Sequence, residues 1–183
     1  HQAVKLPGHV GAAQAAFAEP LAVCLHAVKR AGALLGKRVL VTGSGPIGVL
    51  TVVAARAAGA SEIVVTDVVD GPLPIALKMG ATTAINVMAQ PERLKAEYGA
   101  EKGAFDVMFE CSGNQHALTG AFDALRPGAV IVQIGVGGNF TIPMNVVVAK
   151  EFDLRGSFRF HEEFDWAVAL IASGRIDLSP LLT

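Results

Sequence analysis

Residues 39–48 read Val-Leu-Val-Thr-Gly-Ser-Gly-Pro-Ile-Gly, an apolar run that ends in a GxGxxG loop. An amphipathic helical pattern follows the loop, and a second apolar run at residues 63–66 is followed by the carboxylate Asp67. Strand, glycine loop, helix, strand and acid in this order are typical of a fold that binds a dinucleotide. The pattern therefore predicts a dinucleotide site at the loop, with a plain strand-to-helix turn as the alternative.

Each residue of the loop has a physical reason for its place. Gly43 permits the tight turn off the strand, Gly45 lets a diphosphate approach the backbone, and Gly48 lets the helix lie close to the sheet. Pro46 suits the first helical turn, where its missing N–H costs nothing. The unpaired N–H groups at the start of this helix, together with the positive end of its dipole, are expected to bind the diphosphate.

Asp67 indicates which nicotinamide cofactor to expect. A carboxylate at the end of the second strand accepts hydrogen bonds from the ribose hydroxyls and repels a 2′-phosphate. No Lys or Arg lies between Asp67 and Leu77 to neutralise such a phosphate. The sequence therefore predicts NAD rather than NADP, unless Asp67 is only a solvated residue at a strand end.

Strand and helix patterns alternate along the whole chain. Strands are expected near residues 38–42, 62–66, 83–86, 105–110, 128–134 and 152–157, and helices near 12–18, 20–31, 46–58, 72–79, 90–98, 114–125, 144–150 and 162–173. This alternation predicts an α/β fold, a doubly wound parallel six-stranded Rossmann sheet with helices on both faces. In such a sheet, ligands bind beyond the carboxyl ends of the strands where the winding reverses.

Size and composition exclude several classes of function. The chain has 183 residues, a formal charge of −1 and 52% hydrophobic residues, which suits one domain with a full core. The near-neutral charge predicts no nucleic-acid partner, and the absence of a long apolar run or a leader predicts a cytoplasmic protein that binds no membrane. Cys24 and Cys111 stand in no CxxC or CxxH pattern, so no metal site is expected within the chain.

A resemblance to a known family extends this interpretation. Five segments recur in the same order in the medium-chain zinc-dependent dehydrogenase/reductase family: Glu19-Pro20-Leu21-Ala22-Val23, Gly36-Lys37-Arg38-Val39, Gly45-Pro46-Ile47-Gly48, Phe105-Asp106-Val107 through Glu110-Cys111-Ser112-Gly113, and Leu154-Arg155-Gly156-Ser157-Phe158-Arg159-Phe160. Within that family the chain is most similar to the sorbitol and L-idonate 5-dehydrogenase branch. The resemblance implies the NAD-binding domain of an enzyme that transfers hydride from a polyol or sugar acid to NAD.

The resemblance also implies a domain that this sequence lacks. Members of the family carry a GroES-like zinc catalytic domain before the cofactor domain, and its ligand motifs do not occur here. We therefore expect residues 1–35 to be a linker and helices that would pack against that domain, and residues 36–183 to be the NAD-binding Rossmann domain. Zinc would be bound only in the full-length enzyme, the fragment alone would be inactive, and apolar surface near residues 21–28 would be exposed.

The resemblance assigns roles to individual positions. Glu19 matches a glutamate beside the zinc or its water, although the helix dipole also favours an acid before Pro20. Arg159 and Phe160 match positions near the nicotinamide and the substrate, where a guanidinium suits a carboxylate, with a surface arginine as the alternative. The cofactor-binding set is Gly43, Gly45, Pro46, Ile47, Gly48, Asp67, Cys111, Ser112, Ile134, Gly135, Val136, Ser157, Phe158 and Arg159.

Two other functions stay open at this point. An S-adenosylmethionine-dependent methyltransferase also has a glycine-rich loop followed by an acid, although its first strand usually ends in an acid and Thr42 stands here. A non-catalytic NAD-binding or assembly domain would keep the loop without turnover. In the resembled family the cofactor domains pair along the last strand, which implies a homodimer through the edge near residues 152–157. The expected partner is a small-molecule polyol or sugar acid.

Overall fold

Strands and helices alternate through residues 4–182, the part of the chain that the computed structural model describes. The strands are β1 Arg38–Thr42, β2 Glu62–Asp67, β3 Thr83–Asn86, β4 Phe105–Glu110, β5 Leu125–Gln133 and β6 Asp153–Gly156. They form one sheet in the order β3-β2-β1-β4-β5-β6, and every neighbouring pair is parallel. The predicted six-stranded parallel Rossmann sheet is confirmed.

Helices cover both faces of the sheet. They are α1 Ala12–Ala15, α2 Ala18–Ala31, α3 Pro46–Ala57, α4 Leu73–Lys78, α5 Arg93–Tyr98, α6 Gln115–Gly120, α7 Met144–Ala149 and α8 Glu163–Ala172. Helices α2, α3, α4 and α8 share one apolar cluster with the sheet, and α5, α6 and α7 contribute to the other. None of the helices within residues 4–182 combines the length and apolar character that crossing a membrane requires.

Successive residues of a strand supply opposite clusters. On β1, Val39 and Val41 belong to the cluster with α2 and α3, whereas Leu40 belongs to the cluster on the other face. Side chains alternate between the two faces of a strand, so a sheet covered on both sides needs apolar residues at consecutive positions. This arrangement explains why the central strands are apolar throughout rather than alternating.

The expectation of an exposed apolar surface near residues 21–28 is wrong. Leu21 and Cys24 are fully buried, and Leu25 and Val28 are each 8% exposed. Helix α2 packs against α3 and α8, so its apolar side chains belong to the core of this domain. The second helix is therefore an integral layer of the fold.

Several predicted boundaries also differ from the structure, and two of the differences lie at β5 and at the helix before it. Strand β5 begins at Leu125 rather than residue 128, because Pro127 and Gly128 stay within it beside a register shift between β4 and β5. The helix expected over residues 114–125 ends at Gly120 and is followed by a 3₁₀ turn, Phe122–Ala124. A β-bulge accommodates residues that otherwise interrupt a strand, which explains the first difference.

Candidate cofactor site

The glycine loop lies where the winding of the sheet reverses. Strand β1 pairs with β2 on one side and with β4 on the other, so the loop after β1 stands at the switch point. Gly43 has φ +87°, a left-handed conformation that costs glycine little. Gly45 is the N-cap of α3 and Pro46 is its first residue, as the sequence predicts.

Two glycines of the loop meet different surroundings. A Cβ on Gly48 would lie 1.9 Å from the carbonyl oxygen of Gly43, so α3 can approach β1 this closely only with glycine there. A Cβ on Gly45 would meet nothing within 4 Å. Ile47 is half-buried against the core on the α3 side. Gly48 therefore serves packing, whereas Gly45 leaves open space beside the N-terminus of α3.

A cavity of about 640 Å³ opens beside this loop. Three of the predicted cofactor residues line it, Gly43, Asp67 and Ser112, and its lining is completed by Thr42, Thr66, Val68, Val87, Met88, Pro91, Leu94, Lys95, Asn114, His116, Ala117, Gly120 and Ala121. This volume is within the range of small-molecule sites, about 300–1,000 Å³. The cavity thus joins the ends of β1 and β2 to the loop after β4.

Asp67 is held tightly by the loop beside it. Its Oδ2 accepts hydrogen bonds from the N–H of Ser44 at 2.6 Å and from the Ser44 hydroxyl at 2.8 Å. Its Oδ1 accepts from the N–H groups of Val68 at 2.7 Å and Val69 at 3.2 Å. Burial alone would raise the pKa of Asp67, but these donors outweigh it and lower the pKa below its ordinary value. The cavity therefore has an ionised carboxylate at the end of β2.

Cys111 packs beneath the glycine loop. Its Sγ lies 3.6 Å from the Thr51 hydroxyl of α3, and its Cβ lies 3.7 Å from the position a Cβ on Gly48 would take. Burial raises the pKa of the Cys111 thiol far above its ordinary value, which makes it a poor nucleophile. The side chain of Ser112 lies at the cavity and that of Cys111 faces α3, so a cofactor contact from Cys111 stays a prediction.

Glu110, for which no role was predicted, organises the same region. Its side chain is fully buried at the end of β4. The carboxylate accepts hydrogen bonds from the N–H groups of Ser112 at 2.8 Å and Gly113 at 2.9 Å, and from the Ser112 hydroxyl and the Gln133 side-chain amide. A buried carboxylate with several donors is stable only while those donors stay in place. Glu110 therefore fixes the loop after β4.

The backbone of Glu110 binds the next loop as well. Its carbonyl oxygen accepts from the N–H groups of Ile134 at 2.9 Å and Gly135 at 2.8 Å. A Cβ on Gly135 would lie 2.1 Å from the N of Gly113, so the loops after β4 and β5 touch. The sequence carried one signal for this role, a charged residue that ends an otherwise apolar strand before a glycine-containing loop.

The remaining predicted residues follow β5 and β6, away from the cavity. Val136 and Phe158 are 87% and 71% exposed, and the N–H of Ser157 donates to the carbonyl of Gln133 at 2.9 Å. The Arg159 guanidinium lies over the Phe158 ring, 5.3 Å from its centroid. Together with Ile134 and Gly135, these residues belong to the segments that follow the carboxyl ends of β5 and β6.

The other candidates at the substrate side, Phe160 and Glu19, belong to different parts of the chain. Phe160 is half-buried and stacks on Phe164 with ring centroids 5.6 Å apart. Glu19 is exposed in the first turn of α2, where the macrodipole favours an acid. Within the described residues 4–182, no three His, Cys, Asp or Glu side chains are grouped so as to hold a metal ion.

Comparison with known proteins points to one family. The family model described as zinc-binding dehydrogenase matches residues 46–173. The chain is 44% identical to L-idonate 5-dehydrogenase (NAD(P)(+)) of Escherichia coli (strain K12), over 100% of this chain and 52% of that protein. It is 38% identical to sorbitol dehydrogenase of Gallus gallus, over 98% of this chain and 51% of that protein.

A solved structure agrees with these matches. The crystal structure of L-idonate 5-dehydrogenase from Escherichia coli K-12 superposes with a TM-score of 0.93 at 43% identity, covering 98% of this chain and 51% of that chain. The chain thus spans about half the length of the curated relatives it matches. The shared part contains the whole sheet and the glycine loop.

Proposed function

The chain belongs to the zinc-binding dehydrogenase family, and on that premise we propose that it is the NAD-binding part of a polyol or sugar-acid dehydrogenase. The observation that carries the proposal is the loop at the switch point, where Gly45 leaves the N-terminus of α3 open and Asp67 lies beside the cavity. A bound nicotinamide supplies the hydride acceptor. The residues of this chain bind and orient it.

The described residues fit a dinucleotide. The 12-residue helix α3 begins beside Gly45, around whose Cβ position nothing lies within 4 Å, and the free N–H groups of a helix N-terminus suit a diphosphate. The ionised Asp67 suits the hydroxyls of a ribose, and the apolar side chains of Val87 and Leu94 in the cavity suit a flat base. Residues 68–77 contain no cation, so this loop offers no positive partner to a 2′-phosphate beside Asp67. Lys95, which also lines the cavity, is paired with Asp123 at 2.8 Å.

The residues described here do not fit a zinc ion, since no metal-ligating group is found among residues 4–182. The ligands of a zinc ion would therefore belong to a longer protein. Glu19 is proposed to lie beside that zinc, as its position in the exposed first turn of α2 allows.

The substrate class is proposed from the relatives and from one side chain. Relatives at 44% and 38% identity are named for L-idonate and sorbitol. Arg159 and Phe160 are proposed to contact the substrate, and a guanidinium binds a carboxylate in a bidentate manner, which favours a sugar acid such as L-idonate. Oxidation of its alcohol at C5 would yield 5-keto-gluconate. If Arg159 only covers Phe158, a neutral polyol such as sorbitol fits equally well.

The cofactor is tested by titration of the chain with NADH, NADPH and S-adenosylmethionine, followed by nicotinamide fluorescence and calorimetry. We expect NADH to bind and NADPH to bind at least about tenfold more weakly, a difference of about 1.4 kcal/mol. Neither the family match nor the relatives support the methyltransferase alternative. Binding of S-adenosylmethionine without NADH would overturn the proposal.

A matched pair of variants locates the effect at Asp67. Asp67→Asn keeps the shape of the side chain but removes its charge. The affinity for NADH should therefore fall, and the difference in affinity between NADH and NADPH should become smaller. Asp70→Asn is the control, because Asp70 lies in the same loop but accepts from Asn86 at 2.7 Å and is exposed. An unchanged cofactor preference in Asp67→Asn would contradict the assignment of the ribose contact.

We also propose the homodimer that the last strand suggests. Strand β6 pairs with β5 and is the final strand of the sheet, and its Leu154 is 45% exposed. Such an edge invites pairing with a second strand, which would continue the sheet across a two-fold axis. The cytoplasmic location expected from the sequence stays a prediction.

A further inference from the structure

The turn between β6 and α8 is tied to helix α2 by one buried carboxylate. Glu163, the first residue of α8, has a fully buried side chain. Its Oε2 accepts a hydrogen bond from the N–H of His161 at 2.7 Å. Its Oε1 lies 3.2 Å from Nδ1 of His26 and 3.1 Å from Nζ of Lys29, both on α2. One carboxylate therefore joins the turn to a different helix.

This carboxylate stays charged despite its burial. Burial alone would raise the pKa of Glu163, but the N–H groups of His161 and of Glu163 itself, with His26 and Lys29, lower it to about 2. The Glu163 carboxylate is buried whereas Lys29 is 45% exposed, so loss of these partners would leave a buried charge uncompensated. The position of the turn thus depends on α2.

The turn begins with the residues that the sequence assigns to the nicotinamide and the substrate. Arg159 has φ +57°, a left-handed conformation that a residue with a Cβ keeps only where its surroundings impose it. The following Phe160 stacks on Phe164 of α8. Two contacts therefore fix the C-terminal end of the segment of residues 157–160. The N–H of the next residue, His161, donates to Glu163, and Phe160 stacks on Phe164.

We propose that Glu163 is a positioning residue for the segment of residues 157–160, which it places against the nicotinamide end of the cofactor. It acts through the backbone N–H of His161 and the side chains of α2, without touching the cofactor itself. The inference rests on the proposed function, because it requires that this segment face a nicotinamide.

The test compares two ligands that share all but one part. ADP-ribose contains the adenosine, the diphosphate and the second ribose of NADH but lacks its nicotinamide. In Glu163→Gln the side chain keeps its size but loses its charge and one acceptor. We expect the Kd for NADH to rise about tenfold, and that for ADP-ribose to change by less than about twofold. The ratio of the two Kd values is a readout that general destabilisation does not move.

Glu162→Gln is the matched control. Glu162 is the neighbouring carboxylate, is exposed and contacts Lys29 at 2.6 Å, but it does not bind the turn. Its replacement changes the same charge at the start of α8, so the ratio of Kd values should stay as in the unchanged chain. If Glu163→Gln fails to fold, Glu163→Asp keeps the charge, shortens the reach by one methylene and should raise the ratio in the same direction.

The outcomes separate this inference from the function on which it rests. If the unchanged chain binds neither NADH nor ADP-ribose, the proposed function fails and the inference falls with it. If it binds both and the Glu163 variants weaken both equally, or neither, the function stands and the positioning role of Glu163 is overturned.

Discussion

Individual side chains at the carboxyl ends of the strands hold the site together, and Glu110 is the clearest example. Its carboxylate accepts from the backbone of Ser112 and Gly113 and from the Gln133 side chain. Because the oxygens of one residue bind groups from two loops, a change in Glu110 alters both loops at once. Ser112 lines the cavity, so this alteration would change the cavity wall.

Glu110→Gln is expected to destabilise the domain without changing its volume. One carboxylate oxygen becomes an NH₂ group that must face an N–H or amide donor, which leaves a buried donor without an acceptor. The free energy of unfolding should fall by about 2–3 kcal/mol, with weaker NADH binding, as measured by urea denaturation and fluorescence. Ser112→Ala, the control, removes only part of the donor set and should cost about 1 kcal/mol. Equal stability of Glu110→Gln and the unchanged chain would contradict this role.

Glu163 predicts how stability responds to acid. Its pKa is lowered from 4.5 to about 2 in the folded chain, so its stabilising contribution is present above the unfolded value and is lost as the pH falls through the folded one. Compared with Glu163→Gln, the unchanged chain should be more stable by on the order of 2 kcal/mol at neutral pH.

Urea denaturation across the acid range checks this contribution. The advantage over Glu163→Gln should shrink as the pH drops from 4.5 to about 2. The titratable groups facing Glu163 are His26 and Lys29 on α2, with Glu162 and His161 beside it. The variant Glu162→Gln measures how much of the pH-dependent change in the free energy of unfolding comes from the exposed carboxylate of Glu162. A difference that stays constant with pH would show that the Glu163 charge does not stabilise the fold.

At the scale of elements, the approach of α3 to β1 depends on one glycine and the ligand space on another. Gly48→Ala would place a methyl group 1.9 Å from the Gly43 oxygen, which forces α3 away from the strand. We expect a loss of about 3 kcal/mol in the free energy of unfolding. Gly45→Ala fills open space at the N-cap, so its stability should change by about 1 kcal/mol or less while NADH binding weakens. Thermal denaturation and fluorescence titration measure the two effects.

The reverse result would refute this division of roles. If Gly45→Ala unfolded the domain, or Gly48→Ala left its stability unchanged, the two glycines would have been assigned wrongly. Because both substitutions add the same methyl group within four residues of chain, each serves as the control for the other.

The elements that the sequence predicts well are those whose pattern is local. Strand β1, the loop and α3 follow from residues close in the chain, and their bounds agree with the prediction to within one residue. The role of Glu110 depends on which residues of β4 and β5 lie side by side, a register that local patterns do not contain. The prediction of exposed apolar surface near residues 21–28 was wrong for the same reason, because α3 and α8, the partners of α2, are separate elements later in the chain.

At the scale of the molecule, the strand order β3-β2-β1-β4-β5-β6 places the candidate site residues in a row along the carboxyl ends of the strands. The ends of β1 and β2 adjoin the cavity, the end of β4 holds Glu110, and the ends of β5 and β6 carry the exposed residues assigned to the nicotinamide. An extended dinucleotide suits such a row of strand ends, because its parts can be bound by successive loops. The same order leaves β6 as an outer strand of the sheet.

The proposed dimer is tested on that outer strand. Leu154 of β6 and Leu77 of α4 are each 45% exposed, so they form a matched pair. A lysine on an edge strand opposes pairing with another strand, because its charge would lose water beside the added strand. We expect the unchanged chain and Leu77→Lys to be dimers at micromolar concentration by light scattering, and Leu154→Lys to be a monomer with unaltered circular dichroism. A monomeric unchanged chain, or a Leu154→Lys variant that stays dimeric, would show that β6 is not the interface.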